Sequence, residues 1–405
     1  MRSKFWLVVI SIIGFSSALW LIGQSTPQAV ANGGQRMFIP LVVKPTNFLE
    51  TFTGAPSQPQ PWNPANWDVT VHSRDVNTWY QLEAMAADHG LDCTPAPATH
   101  IIQAYEDAVY LCRNHVMTAI KASGYGLIYL TPNHLVDFSS GSATIRFDVS
   151  TLRTSLRDWI DLWVSPYNDH LQLPLDMDVD LSGPPRNAVQ VRMDLSGNFF
   201  DVVIYRNFQR TVIDGIPIPY ERFLEPSATR RDTFELQISR TSIKFGMPAY
   251  NFYWVDARIP DLGWDQGVVQ FGHHSYNPLK DCWTPCRPGT WHWDNVSISP
   301  ARPFTIIKAN RRYVDRANPI VTLAAPAPAQ AYLRFAGIGP NIQVRFNSGP
   351  WRAAQVQTHG VAFKDEHFRS YWMPIPAGVT QIEFRGDWWW GGDWHVRDIS
   401  VWALP

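Results

Sequence analysis

Several things are missing from this chain, and each absence removes a class of function. There is no Gly-rich phosphate loop, no Gly-x-Ser-x-Gly elbow and no His-Glu-x-x-His helix, so nucleotide, serine-hydrolase and metalloprotease readings lack their machinery. Charge of one sign is also absent, since 34 basic residues nearly cancel 35 acidic ones. No basic excess points to nucleic acid, and no acidic tail points to a cationic partner. Beyond the N-terminus no stretch is long and apolar enough to span a bilayer. Helical periodicity is scarce. Only Trp79 to His89, with Leu82, Met85 and Ala86 at helical spacing before Gly90, predicts a helix.

What is present favours folded, exported structure. Hydrophobic residues make up 45% of the chain and charged ones 17%, a balance that builds cores rather than a disordered coil. At 405 residues the chain exceeds one ordinary core. Arg2 and Lys4 precede an apolar run from Phe5 to Ile22, and Ala29-Val-Ala31 offers a small-x-small cleavage site before Asn32. Residues 1–31 therefore read as a signal peptide and 32–45 as an N-terminal segment. The protein is expected to be secreted or cell-surface, monomeric, and in contact with a membrane only through this segment if it stays uncleaved.

Four cysteines in an exported chain suit two disulfides. The sequence-local pairing, Cys93 with Cys112 and Cys282 with Cys286, staples two polar, Pro-rich loops. A rival reading of the second pair is a zinc site made from Cys282, Cys286, His292 and either His273 or His274.

From Ala108 onward short β-branched or aromatic runs alternate with Gly, Pro, Asn and Ser, and so many short strands argue for a sandwich or jelly roll. Trp67 to Ser73, Ala143 to Val149, Trp159 to Val164, Ala188 to Met193 and Phe199 to Tyr205 are among them. Residues 46–300 are expected to form one sandwich. Pro300 to Pro303 reads as a hinge into a smaller one, residues 301–405. The stretch Val268 to Ile298 organises the first. Its closing segment, Trp291-His-Trp-Asp-Asn-Val-Ser-Ile, is echoed by Trp394-His-Val-Arg-Asp-Ile-Ser-Val at the end of the chain.

Glu50-Thr-Phe-Thr-Gly54, the run of strands and the closing Trp293-Asp-Asn-Val-Ser-Ile298 together resemble the concanavalin-A-like lectin and glucanase superfamily, including laminin-G-like domains. The last hundred residues resemble small jelly-roll accessory modules. The resemblance implies an all-β fold, a concanavalin-A-like β-sandwich followed by a smaller jelly-roll β-sandwich, with carbohydrate binding frequent among its members. By analogy with such modules, Glu50, Asp294 and Asn295 are candidates to hold a structural calcium ion; no other cofactor is expected.

Four constellations could carry chemistry. Asp176, Asp178 and Asp180 share one face if extended, and in outline resemble the Glu-x-Asp-x-Glu strand of the family-sixteen glycoside hydrolases, with side chains one methylene shorter. One carboxylate would attack or stabilise while another stays protonated as the acid; a calcium-holding loop or a solvated acidic turn are the alternatives. Alternation puts Trp159, Asp161 and Trp163 on one face, where two indoles flanking a carboxylate suit a pyranose; a packed core strand, with Asp161 held by Arg153 or Arg157, is the plainer reading. His273, His274 and Tyr276 could supply a base and an acid beside Trp291, His292 and Asp294, or could simply bond neighbouring backbone. Finally, Trp388, Trp389, Trp390 and Trp394, loosened by two glycines, form either an exposed stacking platform or an aromatic plug between the two sandwiches.

The leading expectation is recognition of extracellular or cell-wall polysaccharide or glycan through aromatic surfaces. A glycoside hydrolase or polysaccharide lyase of the same fold is the second, and a structural surface protein without a small ligand is the third.

Overall fold

Because successive side chains of a strand point to opposite sides, the alternating runs sort themselves into inner and outer faces of stacked sheets. The computed structural model describes residues 46–52, 60–73, 79–81, 101–103, 109–112, 115–120, 126–152, 158–170, 185–194, 199–214, 231–275, 289–356, 369–388 and 393–404. Regular structure among them is almost wholly strand, relieved by a short helix at Tyr167–His170 and a 3-10 turn at Pro248–Tyr250.

The first sandwich has two antiparallel sheets. One runs, neighbour to neighbour, through Gln209–Asp214, Phe199–Arg206, Asn187–Asp194, Asp158–Ser165, Gln266–Ser275, Gly126–Pro132 and Trp67–Ser73. The other runs through Phe252–Arg258, Ser242–Met247, Asp232–Ser239, Ser142–Leu152 and Gly289–Pro303, with Thr46–Glu50 and His115–Ile120 flanking the last. His134–Asp137 pairs with a strand of each and joins them. Ile160, Leu162, Val164, Val191 and Phe271 from the first sheet meet Phe147, Phe234, Phe245, Trp254 and Trp293 from the second in one buried core. Truncating a ring such as Phe147 there costs about 3–5 kcal/mol.

The second sandwich repeats the plan at smaller scale. His395–Ala403 pairs with Thr305–Lys308 and Ala331–Ile338, and the latter with Arg369–Ile375. Ile320–Thr322, Gln381–Arg385, Gln343–Phe346 and Arg352–Ala353 form the opposing sheet. Leu333, Phe335, Val344, Ile382, Phe384 and Val401 fill the space between. The fold is thus all-β, a larger β-sandwich followed by a smaller one.

The echoed closing strands share a backbone device as well as residues. Asn295 and Asp398 occupy equivalent places, and both are left-handed, at φ 45° and 52°. Asn and Asp tolerate that region better than other side chains. At each the register slips against the neighbouring strand, between Arg146 and Asp148 and between Arg334 and Ala336, as a β-bulge requires. The bulge lets Trp291 and Val296 in one copy, and Trp394 and Ile399 in the other, reach their cores.

Outer faces of the two sandwiches meet. Asp68, on the outer face of Trp67–Ser73, accepts from Arg334 Nη1 at 3.1 Å, Trp402 Nε1 at 3.0 Å and Ser400 Oγ at 3.2 Å. Leu135, Tyr167 and Val268 pack there against Phe304, Ile306 and Trp402.

Three local expectations are corrected. Trp79–Gln81 is extended and pairs with Ile101–Gln103, so the helix does not begin at Trp79, and 101–103 is strand rather than loop; residues 82–89 lie outside the described residues. The segment expected as a hinge, Pro300–Pro303, continues the strand Gly289–Pro303, and Ala301 to Pro303 pair with Val136 to His134. No helix among the described residues is long and apolar enough to cross a membrane.

Candidate functional site

The outer face of the first sandwich carries the polar network that the sequence pointed to, in a closed form. Strand alternation sends Trp159, Asp161 and Trp163 outward, yet Asp161 is only 1% and Trp163 2% exposed. Asp161 Oδ2 accepts from Trp163 Nε1 at 2.6 Å and Gln190 Nε2 at 2.9 Å, and lies 3.0 Å from His274 Nε2. Tyr205 Oη donates to Gln190 Oε1 at 3.1 Å. Trp159 lies flat on His274 at 4.7 Å between ring centres, and Trp163 stacks on Tyr205 at 5.7 Å. Gly272 makes this possible, because a Cβ there would stand 2.0 Å from Asp161 Oδ1.

The expectation of a sugar platform at Trp163 and Asp161 is therefore corrected. A buried indole has no free face for a pyranose, and this carboxylate already accepts from two donors. His274 is its ionisable neighbour among the described residues, and Arg153 and Arg157 lie outside them.

His273 points the opposite way, into the core. It is fully buried, with Nδ1 3.1 Å from Thr118 Oγ1, which also accepts from Trp293 Nε1 at 3.0 Å. Burial, aided by the neighbouring His274, holds its pKa well below the usual histidine value, so it is a neutral core group. His292 is likewise buried, 5.1 Å ring to ring from His115, and Trp291 packs in the core. Neither offers a stacking surface.

The residues expected to hold calcium each have protein partners. Glu50 accepts from the Phe52 amide at 3.1 Å and the Trp67 indole at 3.4 Å. Asp294 faces Arg231 Nη1 at 3.3 Å, and Asn295 Nδ2 donates to Asp148 at 2.7 Å. Among the described residues no group of three or more His, Cys, Asp or Glu side chains is placed to hold a metal ion. Asp176, Asp178, Asp180, Tyr276, Cys93, Cys282, Cys286, Trp389 and Trp390 lie outside the described residues; Cys112 ends the strand Val109–Cys112.

An open site lies instead on the second sandwich, where the tryptophan-rich segment divides. Trp394 is 3% exposed and packs against Gly386, at which a Cβ would come within 2.8 Å of the indole. Trp388 is 67% exposed. Between them is a cleft of about 380 Å³, walled by Arg316, Glu383, Arg385, Asp387, Trp388 and Asp393. The strand Gln381–Arg385 supplies Glu383 and Arg385. The turn after it is fastened by Asp387, whose amide donates to Pro340 at 3.1 Å and whose carboxylate accepts from Asn341 at 2.6 Å. Glu383 is ion-paired to Arg345, and Asp393 lies 3.6 Å from Arg316.

Beyond the rim, Trp351 sits between two guanidinium groups, with Arg345 4.8 Å and Arg385 4.3 Å from the ring centre. Arg385 Nε and Nη2 donate to Gln343 at 2.9 and 2.5 Å. The cleft thus offers an exposed aromatic face, hydrogen-bond donors and carboxylate acceptors in a volume suited to a small ligand or one segment of a polymer. Asp387 and Trp388 were visible in the sequence as the start of the tryptophan-rich segment. Arg316, Glu383, Arg385 and Trp351 were not, since only the sheet register brings them beside it.

No family model matches this chain, and no curated protein matches it. Among solved structures, a pseudo β-1,3-glucanase and immunostimulatory antigen of Mycobacterium tuberculosis is similar with 11% identity and a TM-score of 0.38, over 62% of this chain and 97% of its own. A β-1,3-1,4-glucanase (lichenase) from a mouse hindgut metagenome is similar with 12% identity and a TM-score of 0.35, over 63% and 99%. A carbohydrate binding module of Bacillus subtilis follows with 11% identity and a TM-score of 0.29, over 45% and 86%. At these scores no activity passes from those proteins to this chain.

Proposed function

We propose that this chain is an exported glycan-binding protein that takes its ligand in the cleft of the second sandwich, against the indole of Trp388. The observation that carries the reading is the pairing of that indole, two-thirds exposed, with a cleft of about 380 Å³ rich in both donors and acceptors. An exposed indole at the edge of a cleft presents a flat apolar face on which a ligand can stack. A pyranose has the matching form, one apolar face of C–H groups ringed by hydroxyls that both donate and accept. Arg385 and Arg316 supply donors, and Asp387 supplies an acceptor. The exported setting is supported by the basic, apolar and small-x-small pattern of residues 1–31.

The recognition surface differs from the one the sequence favoured on the first sandwich. There Trp163 and Asp161 are buried and Trp159 is half-buried against His274, which favours the second sandwich. The test is a glycan array probed with the full chain and with Trp388→Ala, run beside a reducing-sugar release assay. Binding by the wild type that the variant loses, without sugar release, supports recognition. Release of reducing ends would assign a hydrolase instead.

A further inference from the structure

The two arginines of the cleft differ in how their charge is met. Arg316 faces Asp393. Among the described residues Arg385 pairs with no carboxylate: its partners there are the neutral amide oxygen of Gln343 and the ring of Trp351. This is unlike Arg146, Arg192, Arg240, Arg312, Arg334 and Arg345, each of which is ion-paired to an Asp or Glu. An amide and an indole fix the guanidinium in place without neutralising it. Such a planar fork, preorganised and still fully charged, recognises carboxylates in particular, because two parallel N–H bonds match the two oxygens.

Two of the three acidic wall residues are already met by other arginines. Glu383 is committed to Arg345 and Asp393 lies beside Arg316, whereas Asp387, held by the neutral amide of Asn341, keeps its charge at the rim beside Trp388. Arg385 lines the cleft together with Trp388, and its guanidinium lies 4.3 Å from the ring centre of Trp351.

We propose that Arg385 receives the carboxylate of an acidic sugar unit, so that the preferred ligand is a uronate-containing polysaccharide with a neighbouring ring stacked on Trp388. This rests on the glycan-binding reading of the same cleft. A sulfate ester carries the same negative charge without the planar pair of oxygens, and the test separates the two.

The full chain is run by affinity electrophoresis through gels containing polyuronates, their carboxyl-reduced counterparts, or dextran sulfate. Retardation by a polyuronate, weakened about tenfold or more by carboxyl reduction and by Arg385→Gln, with Arg385→Lys in between, is the expected result. An unchanged melting temperature confirms that the exposed substitution leaves the fold intact. Equal retardation by the carboxyl-reduced polymer, or an Arg385→Gln variant that behaves as wild type, overturns the acidic-sugar assignment and leaves glycan binding standing. Retardation by dextran sulfate alone also overturns it. No retardation by any polymer, neutral or acidic, overturns both readings.

Discussion

Arg334 of the second sandwich and Asp68 of the first form an ion pair of 3.1 Å in which each residue is 3% exposed. Ser400 and the indole of Trp402 add two more donors to the same carboxylate. The smaller sandwich is thereby seated on the outer face of the larger one through a charge that has no access to water.

That seating predicts an asymmetric mutational response. Arg334→Ala leaves Asp68 buried without its cation, and is expected to cost about 3–5 kcal/mol in denaturant unfolding. The double variant Asp68→Asn/Arg334→Met removes both charges and should recover much of the loss. If the single variant is as stable as wild type, the pair is not buried in solution.

Gly272 is expected to be intolerant of even a methyl group. A Cβ would meet Asp161 Oδ1 at 2.0 Å and the Tyr129 ring at 2.7 Å, with buried side chains on both sides. Gly272→Ala should lower stability by about 1–3 kcal/mol, read as a shift in the urea midpoint. A neutral substitution would mean that the network around Asp161 is looser than described.

Stability should depend on pH through His273. Its folded pKa lies well below the unfolded value of 6.5. Below pH 6.5 the unfolded chain takes up a proton that the folded chain does not, so the contribution is complete above that pH and lost as pH falls. The loss is about 1.4 kcal/mol per pH unit for one such proton, down to the folded pKa. The pH profile of stability for His273→Gln should be flatter between pH 6.5 and 5 than that of wild type.

Lys308 gives a second window. Burial lowers its amine from 10.5 to about 8, although nearby Asp68 opposes the shift. Between pH 8 and 10.5 the unfolded state binds the extra proton, so this residue's contribution should rise with pH. Melting curves of wild type and Lys308→Met across that range check the sign, and equal slopes would contradict it.

The strands were legible because their cause is local. Trp67–Ser73 carries its alternation in its own residues, and the structure forms that strand between the same two ends. The faces of Asp158–Ser165 were legible too, with Ile160, Leu162 and Val164 inward and Trp159, Asp161 and Trp163 outward. What alternation cannot report is whether the outward face meets water. That depends on what packs over it, a relationship set by residues far away in the sequence. The same limit explains the tryptophan-rich segment, where Trp394 enters the core through its closing strand while Trp388, six positions earlier, stays outside. Arg385 and Trp351 came together only through the register of Gln343 against Arg385.

The most direct test of the glycan-binding cleft is affinity electrophoresis of the full chain against Trp388→Ala in gels holding a panel of neutral and acidic polysaccharides. The account predicts that at least one polysaccharide slows the wild type and that the variant binds it about tenfold more weakly or not at all. A variant slowed as strongly as the wild type would contradict it.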